Sequence, residues 1–123
     1  MVLNQNILEG LPAKLNLEDP LEVFKYVFLR FPENPVVYPT ENYYYYQFYV
    51  NGQTIWGNLR FDAQDRDQGI LHIGYFEYSE DGQYQDYGGH SKALSLSDGV
   101  EIKKIDPWHY AVQAFGRRLV FTL

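Results

Sequence analysis

The chain has 123 residues, no cysteine and a formal net charge of −6 at pH 7. Its length predicts one domain over residues 1–123, and the lack of thiols excludes disulfide bonds and cysteine chemistry. An acidic chain without a basic stripe is a poor nucleic-acid binder, because phosphate neutralisation supplies most of that affinity. The sequence shows no signal peptide, and no apolar run nears the ~20 residues of a membrane span. We therefore expect a soluble protein that binds neither nucleic acid nor membrane, and the absence of Cys favours the cytoplasm.

The first predicted element is a helix over residues 19–31. Asp19 can cap the first turn, and Pro20 fits the first helical position because its missing N–H would be unpaired there. Apolar residues at spacings of three and four then make one face, formed by Leu21, Phe24, Val27, Phe28 and Phe31. Pro32 ends the helix. Because an isolated amphipathic helix needs tertiary packing, we expect this face to dock on the protein's own sheet rather than on a partner.

A β-hairpin is predicted around Asn51-Gly52, because both central residues of such a turn need positive φ. Four consecutive tyrosines, residues 43–46, lie in its first strand. Counting outward from the turn sends Tyr44 and Tyr46 to one apolar face, where Tyr46 lies opposite Gly57 and its ring should cover the bare backbone. The turn chemistry and the alternation of apolar residues choose the same register.

The other face of this hairpin combines rings with hydrogen-bonding groups. We call it the aromatic-polar face, and its candidate binding residues are Tyr43, Tyr45, Gln47, Trp56, Asn58 and Arg60. Rings with polar edges are typical of recognition surfaces and pocket walls. A plainer interpretation is that a second layer or a curled sheet covers this face, since half-buried tyrosine is common in sheets.

The rest of the chain predicts further strands joined by short turns. Residues 69–78 are apolar on both faces at the start, as in an enclosed strand. Turns are expected at Asp81-Gly82 and Asp98-Gly99, and a bulge at Gly88-Gly89. We expect Val100 and Ile102 to point inward from the strand that follows the second turn.

The last two strands are expected to turn at Gly116-Arg117, which pairs Val112 with Phe121. The same loop pairs Ala114 with Leu119 and Tyr110 with Leu123. For the preceding connection we favour a three-residue loop through Trp108, because it aligns Ile102 with Val112. The predicted fold is therefore mainly β, bordering on α+β: one N-terminal helix, then an antiparallel meander of about seven strands over residues 42–122, as a curled sheet or small barrel.

Catalytic motifs are missing from the sequence, which has no GxSxG elbow, no phosphate-binding glycine loop and no HExxH. His90 and Ser91 are adjacent, but neighbours in a strand point to opposite faces and cannot form a nucleophile–base pair. Glu77 is the one acid embedded in a hydrophobic strand, and it has no carboxylate partner. We therefore predict no catalytic residues, although an enzymatic pocket built on His72 or Glu77 is an alternative.

Two sets of residues invite a metal ion. A three-histidine site inside a barrel would have to bring together His72, His90 and His109. Calcium would need oxygen ligands from one acidic loop, with Asp62, Asp65 and Asp67, but their spacing matches no EF-hand. Structural histidines and a solvated acidic turn are the plainer interpretations, so we predict no metal and no cofactor.

The function favoured by the sequence is non-enzymatic binding through the aromatic-polar face. Its rings would supply stacking and contact area, and Arg60 would supply charge-assisted hydrogen bonds. The expected occupant is a small apolar or aromatic ligand if the face lines an interior, or a protein partner, including a second copy in a homodimer, if the face is open. A structural subunit of a homo-oligomer is the remaining alternative.

Overall fold

The computed structural model describes residues 6–8, 14–33, 35–37, 42–77 and 89–123. The described elements are, in chain order, β1 (Asn6–Leu8), α1 (Pro20–Phe28), β2 (Tyr43–Val50), β3 (Gln53–Arg60), α2 (Ala63–Arg66), β4 (Leu71–Glu77), β5 (His90–Leu94), a 3-10 turn (Leu96–Asp98), β6 (Glu101–Asp106), β7 (His109–Ala114) and β8 (Arg117–Thr122).

The strands form two sheets. β1 to β5 lie side by side in chain order, and β6 to β8 form the second sheet. Each strand from β2 onward pairs antiparallel with its neighbour in the same sheet, whereas the short β1, which the sequence did not predict, runs parallel to β2. The mainly β fold with seven antiparallel strands is therefore confirmed, and within the described residues the sheets do not close into a barrel.

Helix α1 begins as expected. The Asp19 carboxylate accepts hydrogen bonds from the backbone N–H groups of Leu21 and Glu22, and Pro20 occupies the first helical position. The helix ends at Phe28, three residues before the predicted boundary. At this end the two terminal nitrogens of Arg117 donate to the carbonyls of Phe28 and Phe31 at 2.8 and 2.7 Å. Neither carbonyl has a helical N–H donor four residues on, because Pro32 and Pro35 occupy those positions.

The apolar face of α1 packs into the protein's own core, as expected. Phe24 and Phe28 are buried and stack with ring centroids 5.1 Å apart. The ring of Phe31, just beyond the helix, packs against Tyr44 of the first sheet and Phe121 of the second. The ring centroids are 4.9 and 6.3 Å apart. One hydrophobic core therefore joins the helix and both sheets.

The first hairpin has the predicted register at every pair from Val50–Gln53 out to Tyr43–Arg60. Asn51 and Gly52 have φ of 54° and 80°, as this turn requires. The Tyr46 ring lies over Gly57, where an added Cβ would be 2.6 Å from the ring. Any larger residue at position 57 would collide with this ring, so the close packing of the ring on the backbone requires glycine there.

The last hairpin turns one residue earlier than predicted. Phe115 and Gly116 take φ of 53° and 76°, so Val112 pairs with Leu119 and not with Phe121. Likewise Ala114 pairs with Arg117 instead of Leu119, and Tyr110 with Phe121 instead of Leu123. The predicted partners were wrong by two residues, but a shift of two keeps every side chain on its predicted face.

The connection between β6 and β7 also differs from the prediction. Ile102 does pair with Val112, but the turn is a tight one at Pro107-Trp108. A register shift between Lys104 and Asp106 absorbs the extra residue, Ile105. The predicted alignment is correct and the predicted three-residue loop is wrong, because a β-bulge accommodates the residue that was assigned to the loop.

Strand β4 is buried on one face only. Leu71, Ile73 and Tyr75 are buried, whereas His72 and Phe76 on the other face are partly exposed. The expectation of an enclosed strand was wrong, because the core lies on one side of this sheet. Val100 and Ile102 are buried as predicted, and Gly99 at the preceding turn has φ of 80°.

Two further expectations fall outside the described residues: the turn at Asp81-Gly82 and the Gly88 part of the predicted bulge. In the described part of the chain, no helix is long and apolar enough to cross a bilayer.

Candidate functional site

The tyrosine run divides between the two faces of the first sheet, as the turn predicted. Tyr44 and Tyr46 are 1% and 0% exposed and belong to the core. Tyr43 and Tyr45 lie on the opposite face and are partly exposed. Alternation along one strand therefore gives the same residue type two environments.

All six residues of the aromatic-polar face lie together on the outer surface of the first sheet. β2 supplies three and β3 supplies three, and they are paired across the strands as Tyr43–Arg60, Tyr45–Asn58 and Gln47–Trp56. All six are partly buried. Tyr43 and Tyr45 are in edge-to-face contact with ring centroids 5.5 Å apart. The face is thus an ordered surface of rings and amides.

Strand β4 extends this surface by two residues that the sequence pattern did not assign to it. His72 pairs with Arg60, and Phe76 pairs with Trp56. The Phe76 ring lies close to the backbone of Gly89, where an added Cβ would be 2.5 Å from it. The signal for both residues was present in the alternation of residues 71–77, but assigning them to this face required knowing that β4 lies beside β3.

The aromatic-polar face lies on the side of the sheet away from the core. Tyr44 contacts Phe121 of the second sheet at 5.6 Å, so the second sheet and α1 pack against the inner face. In the described part of the chain the aromatic-polar face is accordingly a sheet exterior. This geometry suits a broad contact surface better than the wall of an enclosed pocket.

Arg60 carries the one positive charge among the six face residues. Its Nε lies 3.0 Å from Oδ2 of Asp62, and both side chains are about two-fifths exposed. An ion pair at this level of exposure contributes little free energy, typically below about 1 kcal/mol. The guanidinium can therefore exchange this partner for an acceptor on a bound molecule at small cost.

The three histidines have separate partners. Nε2 of His72 lies 2.6 Å from Oδ2 of Asp65, and Nδ1 of His109 lies 2.8 Å from Oδ1 of Asp106. His90 stacks on Tyr75 with ring centroids 4.9 Å apart. Among the described residues the one group of three close metal-ligating side chains contains a single histidine. A three-histidine site is therefore not formed.

Hydrogen bonds and burial shift the pKa values of two groups on the second sheet, Asp106 and Tyr110. His109 and the backbone N–H of Trp108 bond to the Asp106 carboxylate and lower its pKa. Burial, followed by a 2.6 Å hydrogen bond to Asp67, raises the pKa of Tyr110. Both arrangements pin turns to strands, and neither has the paired donor geometry of an acid–base site.

Two shallow grooves lie away from the aromatic-polar face. One, of about 270 Å³, lies on the outer face of the second sheet and is lined partly by Lys103, Lys104 and Arg118. The other, of about 350 Å³, lies between the 3-10 turn, the start of β6 and Gly69. Both are at or below the lower end of the volumes typical of small-molecule sites.

Comparisons with known proteins do not add to this description. No family model, no curated protein and no solved structure matches the chain. The surfaces of the protein itself are therefore the basis for proposing a function.

Proposed function

We propose that this protein is a non-enzymatic binding domain that holds a protein partner on its aromatic-polar face. One observation carries the proposal: six side chains suited to recognition lie together on the exterior of a sheet whose other face builds the core. Their aromatic rings and their amide and guanidinium groups are partly exposed.

The chemistry of the face matches the residues that dominate protein interfaces. Tyr, Trp and Arg are enriched at positions where truncation costs at least about 2 kcal/mol of binding free energy. The rings of Tyr43, Tyr45 and Trp56 supply apolar area with few rotatable bonds. Gln47, Asn58 and Arg60 supply hydrogen bonds that fix orientation.

A protein partner is favoured over a small molecule. The face is the exterior of a sheet, which offers a broad contact area and not the enclosure typical of small-molecule sites. The alternative of a small barrel enzyme has less support, because the described sheets are not closed. The chain has no cysteine, which favours a reducing compartment, so we expect the partner in the cytoplasm.

Site-specific photocrosslinking in cells of origin tests this proposal. A photoreactive residue replaces Tyr45 on the aromatic-polar face or, as a matched control, Gln113, which is exposed on the second sheet. We expect position 45 to capture one protein that position 113 does not. In the purified complex, Arg60→Glu should then weaken binding at least about tenfold, whereas Lys103→Glu should not. Equal capture from both positions, or equal binding by both charge variants, would reject the proposal.

Solution size decides whether that partner is a second copy. Sedimentation of the purified chain over a range of concentrations measures self-association directly. A dimer that Arg60→Glu dissociates and Lys103→Glu leaves intact would identify the partner as this same chain. A dimer that resists both variants would place the contact elsewhere and contradict the proposal for the homodimer.

A further inference from the structure

Two carboxylates and one imidazole converge where the chain passes from β3 to β4. Asp62 precedes α2, Asp65 lies within it, and His72 is the second residue of β4. One ligand atom from each lies within 4.8 Å of the other two. Nε2 of His72 and Oδ2 of Asp65 are closest, at 2.6 Å. This cluster adjoins the aromatic-polar face through Arg60, which pairs with His72 and contacts Asp62, but it contains none of the six residues of that face.

Backbone hydrogen bonds fix the positions of both aspartates. The N–H groups of Asp65 and Arg66 donate to the carbonyl of Asp62 at 3.1 and 2.8 Å. The N–H of Ile70 donates to the carbonyl of Asp65 at 3.0 Å and brings the chain back toward β4. His72 lies in a paired strand, so its backbone is fixed as well. Binding of a ligand would therefore need only rotation of the three side chains.

Arg66 and Asp67, which follow Asp65 in the chain, form hydrogen bonds to groups outside the cluster. Arg66 donates to the Phe61 carbonyl and to the Tyr110 hydroxyl, both at 3.1 Å. Asp67 accepts from Tyr110 at 2.6 Å. The three loop aspartates that were considered for calcium therefore do not come together, and His72 is the third member of the cluster instead of Asp67.

The identity of the donor atoms selects the type of ion. Calcium and magnesium prefer oxygen ligands throughout, whereas zinc accepts imidazole nitrogen together with carboxylate oxygen. Zinc bonds of about 2.0–2.2 Å in a tetrahedral site place donor atoms roughly 3.4 Å apart. The observed range, from 2.6 Å to less than 4.8 Å, brackets that separation. Small side-chain rotations would therefore suffice.

We propose that Asp62, Asp65 and His72 bind one Zn²⁺ ion. Three protein ligands leave a coordination position for water, as in open zinc sites. Arg60 contacts Oδ2 of Asp62, and a carboxylate has a second oxygen with which to bind the metal. The cluster is partly buried, since the His72 and Asp65 side chains are 23% and 33% exposed. Partial burial favours a charge-compensated ion over free carboxylates.

A second His–Asp pair serves as a control for the simpler possibility that His72 and Asp65 only stabilise a turn. His109 and Asp106 form a second His–Asp contact of similar length, at 2.8 Å, which pins the turn between β6 and β7. In the described part of the chain this second pair does not belong to a group of three ligating residues. If His72 and Asp65 only pin a turn as well, the two pairs should respond to zinc alike.

Calorimetric titration of the metal-free 123-residue protein with Zn²⁺ tests the proposal. We expect one ion per chain with micromolar affinity or better, and a visible spectrum with Co²⁺ that indicates nitrogen and oxygen ligation. Asp62→Asn and Asp65→Asn should each weaken Zn²⁺ binding at least about tenfold. Both changes keep the side-chain size, and the amide introduced by Asp65→Asn retains an acceptor oxygen for His72, so the fold should survive. His109→Ala should leave the affinity unchanged.

NMR of the unmodified protein gives a second readout that depends on no variant. Stoichiometric Zn²⁺ should shift the imidazole resonances of His72 and leave those of His109 and His90 in place. The proposal is overturned by any of three results: no stoichiometric binding, equal shifts at His72 and His109, or affinity that persists in both Asp→Asn variants. Binding of Ca²⁺ or Mg²⁺ in preference to Zn²⁺ would overturn it too.

Discussion

Tyr44 shows how one buried atom affects stability. Its ring fills the core, but its hydroxyl is buried with no hydrogen-bond partner in the described structure. Tyr46 beside it is better accommodated, because its hydroxyl donates to the Gly74 carbonyl at 3.4 Å. Burial raises the pKa of both phenols well above the ordinary range. Burial therefore favours the neutral phenol of both residues in the folded chain.

We predict that Tyr44→Phe leaves the free energy of unfolding at pH 7 unchanged or raises it by up to about 2 kcal/mol, because an unsatisfied buried hydroxyl is removed. The folded pKa exceeds the unfolded one, so stability is retained below the unfolded pKa of about 10 and falls above it. Removing one such group should reduce that fall by about 1.4 kcal/mol per pH unit. Urea unfolding between pH 7 and 11 measures both effects. Destabilisation at pH 7 greater than that of Tyr46→Phe would contradict the prediction.

Residue-level chemistry allowed the aromatic-polar face to be predicted, but not the cluster of Asp62, Asp65 and His72. The φ requirement at Asn51-Gly52 and the two-residue period together placed Tyr43, Tyr45 and Arg60 on one face. The contact between His72 and Asp65 depends instead on how the chain reverses through α2. Local sequence carries little information about that reversal, so the loop acids were considered only with one another and not with His72.

At the scale of elements, the two hairpins differ in how strongly their turns are specified. Asn51-Gly52 suits positive φ at both positions, whereas Phe115 adopts φ of 53° although phenylalanine does not favour it. The Phe115 ring lies 6.0 Å from that of Phe24, with the Lys25 ammonium 5.6 Å above it. Tertiary contacts with α1 therefore accompany the turn. The apolar pattern could not choose the register, because a shift of two residues leaves it unchanged.

Arg117 is the element-scale contact that we expect to matter most. Arg117→Met should lower the free energy of unfolding by about 2–3 kcal/mol, since charged hydrogen bonds to the carbonyls of Phe28 and Phe31 are lost and those acceptors stay partly buried. Arg118→Met is the matched control, because Arg118 is exposed on the same strand. Its effect should stay within about 0.5 kcal/mol. Thermal and urea denaturation of both variants check this, and equal losses would show that the Arg117 contacts contribute nothing specific.

At the scale of the whole molecule, the two sheets share one core. Phe31 touches rings from both, and Phe61 from the end of β3 packs on Phe121 of β8 at 4.9 Å. The sequence predicted the helix, about seven antiparallel strands and the inward faces of the first and last hairpins, but it wrongly predicted that β4 is enclosed. It did not predict the division into two sheets, because consecutive strands usually pair and the lack of pairing between β5 and β6 has no local signal.

A shared core predicts a single cooperative unfolding transition. Each sheet has one tryptophan: Trp56 in β3 of the first, and Trp108 at the turn between β6 and β7 of the second. In Trp108→Phe the fluorescence reports the first sheet, and in Trp56→Phe it reports the second. In each variant, the unfolding transition measured by tryptophan fluorescence should coincide with the transition measured by far-ultraviolet circular dichroism. A tryptophan signal that changes before the dichroism would show that its sheet unfolds separately.

The clamp from Arg117 to the end of α1 also has a consequence for how the chain is made. Arg117 and Phe28, which this contact joins, are 89 positions apart in sequence. At typical synthesis rates a ribosome needs roughly 5–20 s to cover that distance. Throughout this interval the phenylalanines of the early helix have emerged without the strand that completes their packing. The docking of this strand on the end of the helix must therefore wait until residue 117 has left the ribosome.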